Sequence, residues 1–532
     1  MSRIQMSVLE SYLWEAANVL RGHMGAAEYK QYIFPMLFWK RISDTWDEER
    51  ERAIAEVGAD FPENHRIQVP EDAHWDTVRN RPNDVGAGIL NAMRLIETAN
   101  PSLLSGVFGD AHWTNKEKLP DATLKELIEH FSSLKLTTEN LPEDELGTGY
   151  EYLIRKFADD SGHTAAEFYT NRTVVHLMIE MLEPKSGEDI YDPTCGSGGM
   201  LISSLHHIKQ SGGEHRNIGL YGQEINLLTS AIARMNLFLH GVEDFHIERG
   251  DTLGDPKFVE GGALKQFDLV LANPPYSIKQ WDRAKWASDK WGRNKYGTPP
   301  QGNADYAFFQ HIIASTKPNS GRSAILYPHG ILFRDQEKDM REKIVAADVI
   351  ECVIGLGPNL FYNSPMESCI VICKSSKPAD KKGKVLFINA VEHIREERNI
   401  SYLDPEHINV IAECYNSWTD IEGFSRVVGI DEIKDNQYLR KARYNFYYCL
   451  DMINSESIDL NIMKEKISDL YNNLLLIYDE FGFDKNTLRF VDSFHIEIAD
   501  LFKTLDIKES IQFLINFDKS NEQTYLRYLN DD

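Results

Sequence analysis

Between about residues 165 and 375, short apolar and β-branched runs alternate with amphipathic stretches, and this alternation narrows the possible folds more than any other feature of the chain. EDIYDP, NIGLYGQE, FHIERGD, FDLVLANPP, SAILYPHG, VIECVIGLG and SCIVICK read as strands, with LLTSAIARMNLFLHG and AFFQHIIASTK as helices between them. Parallel strands need a long crossover, usually a helix, so repeated strand–helix units predict an α/β fold with a doubly wound, mainly parallel sheet. Open sheets of this kind bind ligands outside the C-terminal ends of their strands. The loops that follow the strands are therefore where chemistry is expected.

The flanks have a different texture. Leu9, Leu13, Ala16, Ala17 and Leu20 recur at helical spacing, as do Tyr29, Ile33, Leu37 and Ile42, with a kink expected at Pro35. DEERERAIAE reads as a solvated helix face, Asp60 to Asn83 as a loop, and LPEDELGTGY (Leu141 to Tyr150) as a domain junction. Beyond about Val385 the pattern is mixed, and from about Asp459 it is helical. At 532 residues, two or three domains are the natural expectation. The reading is a helical N-terminal domain over 1–145, a catalytic domain over 146–455 and a helical C-terminal region over 456–532.

Six cysteines without a CxxC pair argue against a disulfide framework or zinc ribbon and fit a reducing cytoplasm. No signal peptide is read at the N-terminus, and the apolar run Tyr32 to Trp39 is too short to span a bilayer. The formal net charge of -25 argues against a chain that wraps nucleic acid unaided, because phosphate neutralisation supplies most non-specific affinity.

The strongest local motif is YDPTCGSGGM, Tyr191 to Met200, which closes a predicted strand and opens a predicted helix. Gly196, Gly198 and Gly199 allow a tight turn and close approach to a ligand, with Thr194 and Ser197 in the same loop. Asp192 is placed to accept a hydrogen bond from a ligand amine. Glu224 ends the next strand, where an acidic residue can bond both ribose hydroxyls. Asp251, in RGDTL after the third strand, can bond an adenine amine. A nicotinamide site is the nearest rival, but DPTCGSGG is not GxGxxG, and its leading Asp–Pro suits a methyl donor better.

FDLVLANPPY ends a strand on Asn273-Pro274-Pro275-Tyr276. Two prolines fix φ and remove two donors. The Asn273 amide oxygen and the Pro274 carbonyl are expected to face outward as acceptors for an amine that loses hydrogen as it gains a methyl group. Tyr276 offers a flat face on which a base can stack. No HExxH or Cys/His ligand spacing is present, so no metal is assigned, and Cys195 reads as a packing residue.

DPTCGSGG followed by NPPY resembles the amino-methyltransferases of nucleic acids. EFYTNR resembles the segment that precedes the glycine loop in that group, where Pro usually stands at the position of Asn171. The likeness implies that Glu167, Phe168, Tyr169 and Thr170 border the methionine part of the donor. More specifically, the chain resembles modification subunits of type I restriction–modification systems over about residues 7 to 450. The likeness is carried by LESYLWEAANVLRGHMGAAEYKQYIFPMLFWKRISD, DELGTGYEYLIRKFA, GNADYAFFQHI, PHGILFR and NLFYNSPMESCIVI.

The resemblance implies a Rossmann-like S-adenosyl-L-methionine-dependent methyltransferase domain with a helical N-terminal domain and a helical tail. It implies methylation of the N6 amine of adenine in DNA, the base being taken out of the duplex. It further implies two copies of this chain with one specificity subunit, and a restriction subunit for cleavage. NPPY also serves enzymes acting on RNA or on protein glutamine amides, which stands as the alternative. Directly after NPPY, Lys279, Arg283, Lys285, Lys290, Arg293 and Lys295 are interleaved with Trp281, Trp286, Trp291 and Tyr296, and this basic, aromatic stretch is expected to meet DNA.

Overall fold

The computed structural model describes residues 3–160, 170–214, 217–242, 244–360, 367–397 and 401–435. The chain divides into two compact units, and the first, Met1–Asp431, holds everything set out below. The tail read as helical from about Asp459 lies outside the described residues.

The N-terminal region is helical because its apolar residues recur every three or four positions. Helix α1 (Met6–Val19) buries Leu9, Tyr12, Leu13, Ala16 and Ala17 along one stripe. Helix α2 (Ala26–Val57) runs through Pro35 and on through the charged DEERERAIAE stretch, ending at Gly58 in the left-handed conformation (φ 75°). Helices α3 (Val85–Ala99) and α4 (Asp121–Ser132) close this core with Ile89, Met93, Leu127 and Phe131. The stretch read as one loop from Asp60 contains a short helix, Trp75–Arg79, because Trp75 and Val78 are drawn into the same core.

LPEDELGTGY, read as a junction, is largely the start of helix α5 (Glu143–Asp160). Its two glycines are not breaks. A Cβ on Gly147 would lie 2.5 Å from the His240 ring, and one on Gly149 would lie 2.6 Å from Leu9. Both glycines exist for close helix packing, and Leu146, Tyr150, Leu153 and Phe157 of α5 complete the helical core.

Helix α6 (Arg172–Leu182) leads into strand β1 (Asp189–Asp192), followed by helix α7 (Gly199–Gln210), strand β2 (Gly219–Glu224), helix α8 (Leu227–Leu239) and strand β3 (Phe245–Arg249). Strand β4 (Leu269–Ala272), helix α9 (Asp305–Ala314), β5 (Arg322–Pro328), α10 (Lys338–Ala346), β6 (Ile350–Leu356), β7 (Ser368–Lys374), β8 (Lys384–Ala390), α11 (Pro405–Ser417) and β9 (Ser425–Gly429) follow. The strands form one sheet in the order β9-β8-β6-β7-β5-β4-β1-β2-β3. Five neighbour pairs are parallel, while β7 runs antiparallel between β5 and β6, and β9 antiparallel on β8. All seven strands read from the sequence are present; β8 and β9 lie where the pattern reads as mixed. This is a doubly wound, Rossmann-like fold.

Helix α8 joins the two cores. Its Ala231, Ile232, Met235 and Leu239 pack among the helices, while Ala233 and Leu237 pack on the sheet. Among the described residues no helix is long and apolar enough to cross a membrane.

Candidate active site

The strand order reverses at β1. From there the chain builds β2 and β3 to one side, then returns to place β4 and β5 on the other. Such a switch point opens a crevice at the strand ends. The loop after β1 begins at Asp192 and the turn after β4 begins at Asn273, so both emerge beside that crevice. A cleft lies there, and Thr170, Asp192, Thr194, Gly196, Ser197, Gly199 and Asn273 all line it.

On the β1 side the loop is shaped by its own backbone. Gly196 (φ 53°) and Gly198 (φ 79°) occupy the left-handed region, and Gly198 caps α7. The Gly198 amide donates to Cys195 O at 2.8 Å, and the Cys195 amide donates to Gln223 O at 3.0 Å. A Cβ on Gly199 would lie 2.5 Å from the Arg172 guanidinium, which donates to Gly199 O at 2.8 Å. Arg172 is also ion-paired with Glu151 of α5, tying the helical region to the loop.

Asp192 is almost wholly buried and accepts from the Thr194 amide at 3.0 Å. Burial pushes its carboxyl up to about 7, against the pull of the Thr194 amide and with a further push from Glu224. Glu224 does not point freely into the cleft. It accepts from Gly196 N (3.2 Å) and Asn226 N (2.8 Å), and burial raises its carboxyl as well. Asp251 accepts from Leu253 N at 3.0 Å, and the neighbouring Thr252 hydroxyl donates to Pro193 O at 2.6 Å. The loop after β3 is thereby fastened to the loop after β1. Glu167, Phe168 and Tyr169 lie outside the described residues.

The residues present suit a donor carrying an amine and a nucleoside. A buried carboxyl faces the cleft, a second bridges the glycine loop, and the lack of a side chain at Gly199 lets Arg172 close on that loop. Asn171, where the resemblance leads one to expect Pro, serves another local purpose. Its Oδ1 caps α6 through the Thr173 amide (3.1 Å) and its Nδ2 donates to Ser401 O (2.8 Å).

The β4 side differs from expectation in one respect. The Asn273 amide oxygen is not left wholly free: Tyr276 Oη donates to it at 2.5 Å, while Asn273 Nδ2 donates to Thr170 Oγ1 at 2.9 Å. The Tyr276 hydroxyl also reaches Leu326 O at 3.3 Å. The phenol end is enclosed, and burial raises its pKa well above the usual tyrosine range, while the residue as a whole is only half-buried. An amide oxygen has two lone pairs, so Asn273 retains acceptor capacity toward the cleft. Pro274 is buried and Pro275 exposed.

Three residues that sequence reasoning did not single out, Asn303, Asp305 and Arg334, hold this turn. Ser277 follows the tetrad with φ 53°, costly for a non-glycine, and its amide donates to Asp305 Oδ1 at 2.9 Å. Asp305 is fully buried at the start of α9 and pairs with Arg334 at 2.5 Å. With its amide turned to satisfy both neighbours, Asn303 donates to Asp305 (3.0 Å) and accepts from Arg334. Arg334 also pairs with Glu337 at 2.8 Å. The only sequence signal was their presence in GNADYAFFQHI and PHGILFR, segments quoted for resemblance alone.

The basic stretch after the tetrad is corrected in part. Arg293 is 2% exposed and Trp286 and Tyr296 are buried. Arg293 pairs with Asp289 (2.6 Å) and donates to Thr252 O (2.9 Å), Leu253 O (2.7 Å) and His311 Nδ1 (3.2 Å). These bonds satisfy a buried guanidinium, which would otherwise be costly. Its role is to fix the loop after β3, and it cannot reach DNA.

The comparisons agree with this architecture. The N-6 DNA Methylase family matches residues 142–447, and the HsdM N-terminal domain matches residues 9–131. The chain is 30% identical over 475 residues to the type I restriction enzyme MjaIX methylase subunit of Methanocaldococcus jannaschii, covering 82% of this chain and 83% of that one. It is similar to the crystal structure of a type I restriction–modification methyltransferase subunit from Streptococcus thermophilus, with a TM-score of 0.70, 29% identity, and coverage of 82% of this chain and 98% of that one. A structure described for complex assembly and conformational transition of the type I system shares the fold, with a TM-score of 0.61, 19% identity, and coverage of 87% and 98%.

Proposed function

The chain belongs to the N-6 DNA methylase family as a methylase subunit of the type I restriction–modification kind, and from that premise we propose that adenine is methylated in the cleft between the Asp192 loop and the Asn273 turn. The activity is that of an adenine-specific DNA methyltransferase, and the family uses S-adenosyl-L-methionine. These relatives favour DNA over RNA or protein glutamine as substrate. The observation that carries the site assignment is that one cleft is lined by both Asp192 with Gly196 and by Asn273.

In this reading Asp192, Thr194, Gly196, Ser197, Gly198 and Gly199 cradle the donor, with Glu224 and Asp251 toward its ribose and adenine and Glu167, Phe168, Tyr169 and Thr170 on the methionine side. When bound, the donor supplies an electrophilic methyl group on a sulfonium. Asn273 Oδ1 and the Pro274 carbonyl accept the hydrogens of the adenine amine, which orients its lone pair. Tyr276 stacks on the extruded base, and Pro275 keeps the turn rigid. The gain comes from orientation and from acceptors already in place.

The domain assignment follows the same line: residues 1–145 as a helical domain, 146–455 as the transferase domain, and 456–532 as a partner-docking region. The net charge of -25 supports an assembly in which another chain supplies most of the DNA grip: two copies with one specificity subunit, and a restriction subunit when DNA is cut. Such an assembly works in the cytoplasm. The test is Asn273→Ala assembled with its specificity subunit and labelled donor. Transfer to adenine is expected to fall by about 10²–10³-fold, with donor binding retained; undiminished N6-methyladenine would refute the assignment.

A further inference from the structure

The stretch 277–301 holds six cations against two carboxylates in a chain of net charge -25. The structure sorts those charges. Asp289 is consumed by buried Arg293, and Asp282 caps the short helix Arg283–Ala287 by accepting from Lys285 N at 2.8 Å. Arg283 donates to Pro299 O at 2.8 Å. Lys279, Lys285, Lys290 and Lys295 remain exposed, and none of them is in an ion pair with a described residue. Lys290 lies 4.3 Å from the Trp291 ring, and Lys295 lies 5.4 Å from the Tyr296 ring.

The stretch is also a closed, folded body. Gln301 Nε2 donates to Lys279 O (3.0 Å) and Trp281 O (3.1 Å), and Trp281 Nε1 donates to Gln301 O (3.0 Å), so its two ends are stapled together. Trp286 packs with Leu253, Ala304 and Phe308 beneath it. The inner face is thus riveted to the loop after β3, and the near end continues directly into Tyr276. A rigid body with apolar and guanidinium contacts inside and ammonium groups outside that form no ion pair with a described residue suits a polyanion.

We propose that residues 277–301 form a platform that holds the DNA backbone beside the transfer cleft through Lys279, Lys285, Lys290 and Lys295. This rests on the reading of the chain as a DNA methylase. Phosphate contacts of this kind set the register of the duplex without reading its sequence. The platform supplies locally what an acidic chain lacks globally.

The experiment uses the complex with its specificity subunit. It compares the wild type with Lys285→Gln/Lys290→Gln/Lys295→Gln, and with the same positions changed to Arg. Each neutralised phosphate contributes about 0.9 to the salt slope, so between about 50 and 200 mM salt the wild type should lose roughly 40-fold more affinity than the Gln variant for each copy of the chain that engages the duplex. The Arg variant should keep the wild-type slope, and all three should bind donor alike. An unchanged slope in the Gln variant overturns the platform, as does failure of that variant to assemble with the specificity subunit, which would make the surface a protein contact. If the wild type methylates DNA adenine while the slope is unchanged, only the platform falls. If the wild type methylates no DNA, the underlying reading falls.

Discussion

The two walls of the cleft are built on different principles. The wall after β1 is main chain: left-handed glycines, amide donors, and carboxylates accepting from those amides. The wall after β4 is side chain: Tyr276 on Asn273, with Ser277 on Asp305 and Arg334 linking two fully buried carboxylates. A main-chain cradle tolerates small changes of side chain. A buried charge network does not, since removing one partner strands the others. The acceptor wall should therefore be the costlier one to disturb, and its damage should reach transfer before donor binding.

The largest effect is expected from Arg334→Ala. It leaves Asp305 and Glu337 buried without their cation, which should cost about 3–5 kcal/mol in urea denaturation. Burial already holds Glu337 up at about 7, so part of the loss can be recovered by protonation at low pH. Transfer should fall with donor affinity unchanged. An equal fall in donor affinity would break the distinction between the walls.

A smaller effect tests the same wall. Tyr276→Phe keeps the ring but removes the hydroxyl that donates to Asn273 Oδ1. Turnover should fall by about tenfold, the equivalent of about 1.4 kcal/mol, with stability nearly kept. Unchanged kcat and KM in this variant would mean that Tyr276 serves stacking alone.

The donor wall should answer to pH instead. The Asp192 carboxyl, raised to about 7 by burial, is protonated below that value and ionised above it. A donor amine binds the ionised form better, so donor affinity should rise as pH passes upward through 7, by up to about tenfold per pH unit on the acid side. Isothermal titration from pH 6 to 8 measures this. Asp192→Asn should flatten the curve, and a flat wild-type curve would show that Asp192 does not touch the amine. For folding alone the sign is opposite. A raised folded pKa means that the native state binds more protons between the ordinary carboxylate value and 7, so this group lowers stability as pH rises through that window.

The strands of the catalytic half were readable because a buried apolar run leaves a strong local signal, Asp192 and Asn273 because they stand where such runs end, and Gly196 because it belongs to the glycine-rich turn that follows. Helix α5 was hidden within LPEDELGTGY because Gly147 and Gly149 resemble turn formers, yet in α5 they admit His240 and Leu9. Arg293 misled for a related reason. Charge in a sequence suggests solvent, and only the fold reveals that Thr252 O, Leu253 O and Asp289 converge on one guanidinium. The Asp305–Arg334 brace spans two elements, a non-local pairing that no local pattern encodes.

The smallest expected effect is at Cys195, where the two walls give opposite forecasts about chemistry. Cys195 is 5% exposed within the donor loop, and burial pushes its thiol well above the ordinary range, so almost no thiolate exists at neutral pH. A Cβ on neighbouring Gly222 would lie 2.8 Å from Sγ, so the sulfur fills space against β2. Cys195→Ala should therefore cost about 1 kcal/mol through a small cavity and leave transfer to adenine intact. Loss of transfer in a folded Cys195→Ala variant that still binds donor would place a nucleophile on the donor wall. The attack would then no longer belong to the amine held at Asn273, and the division of labour between the walls would have to be redrawn.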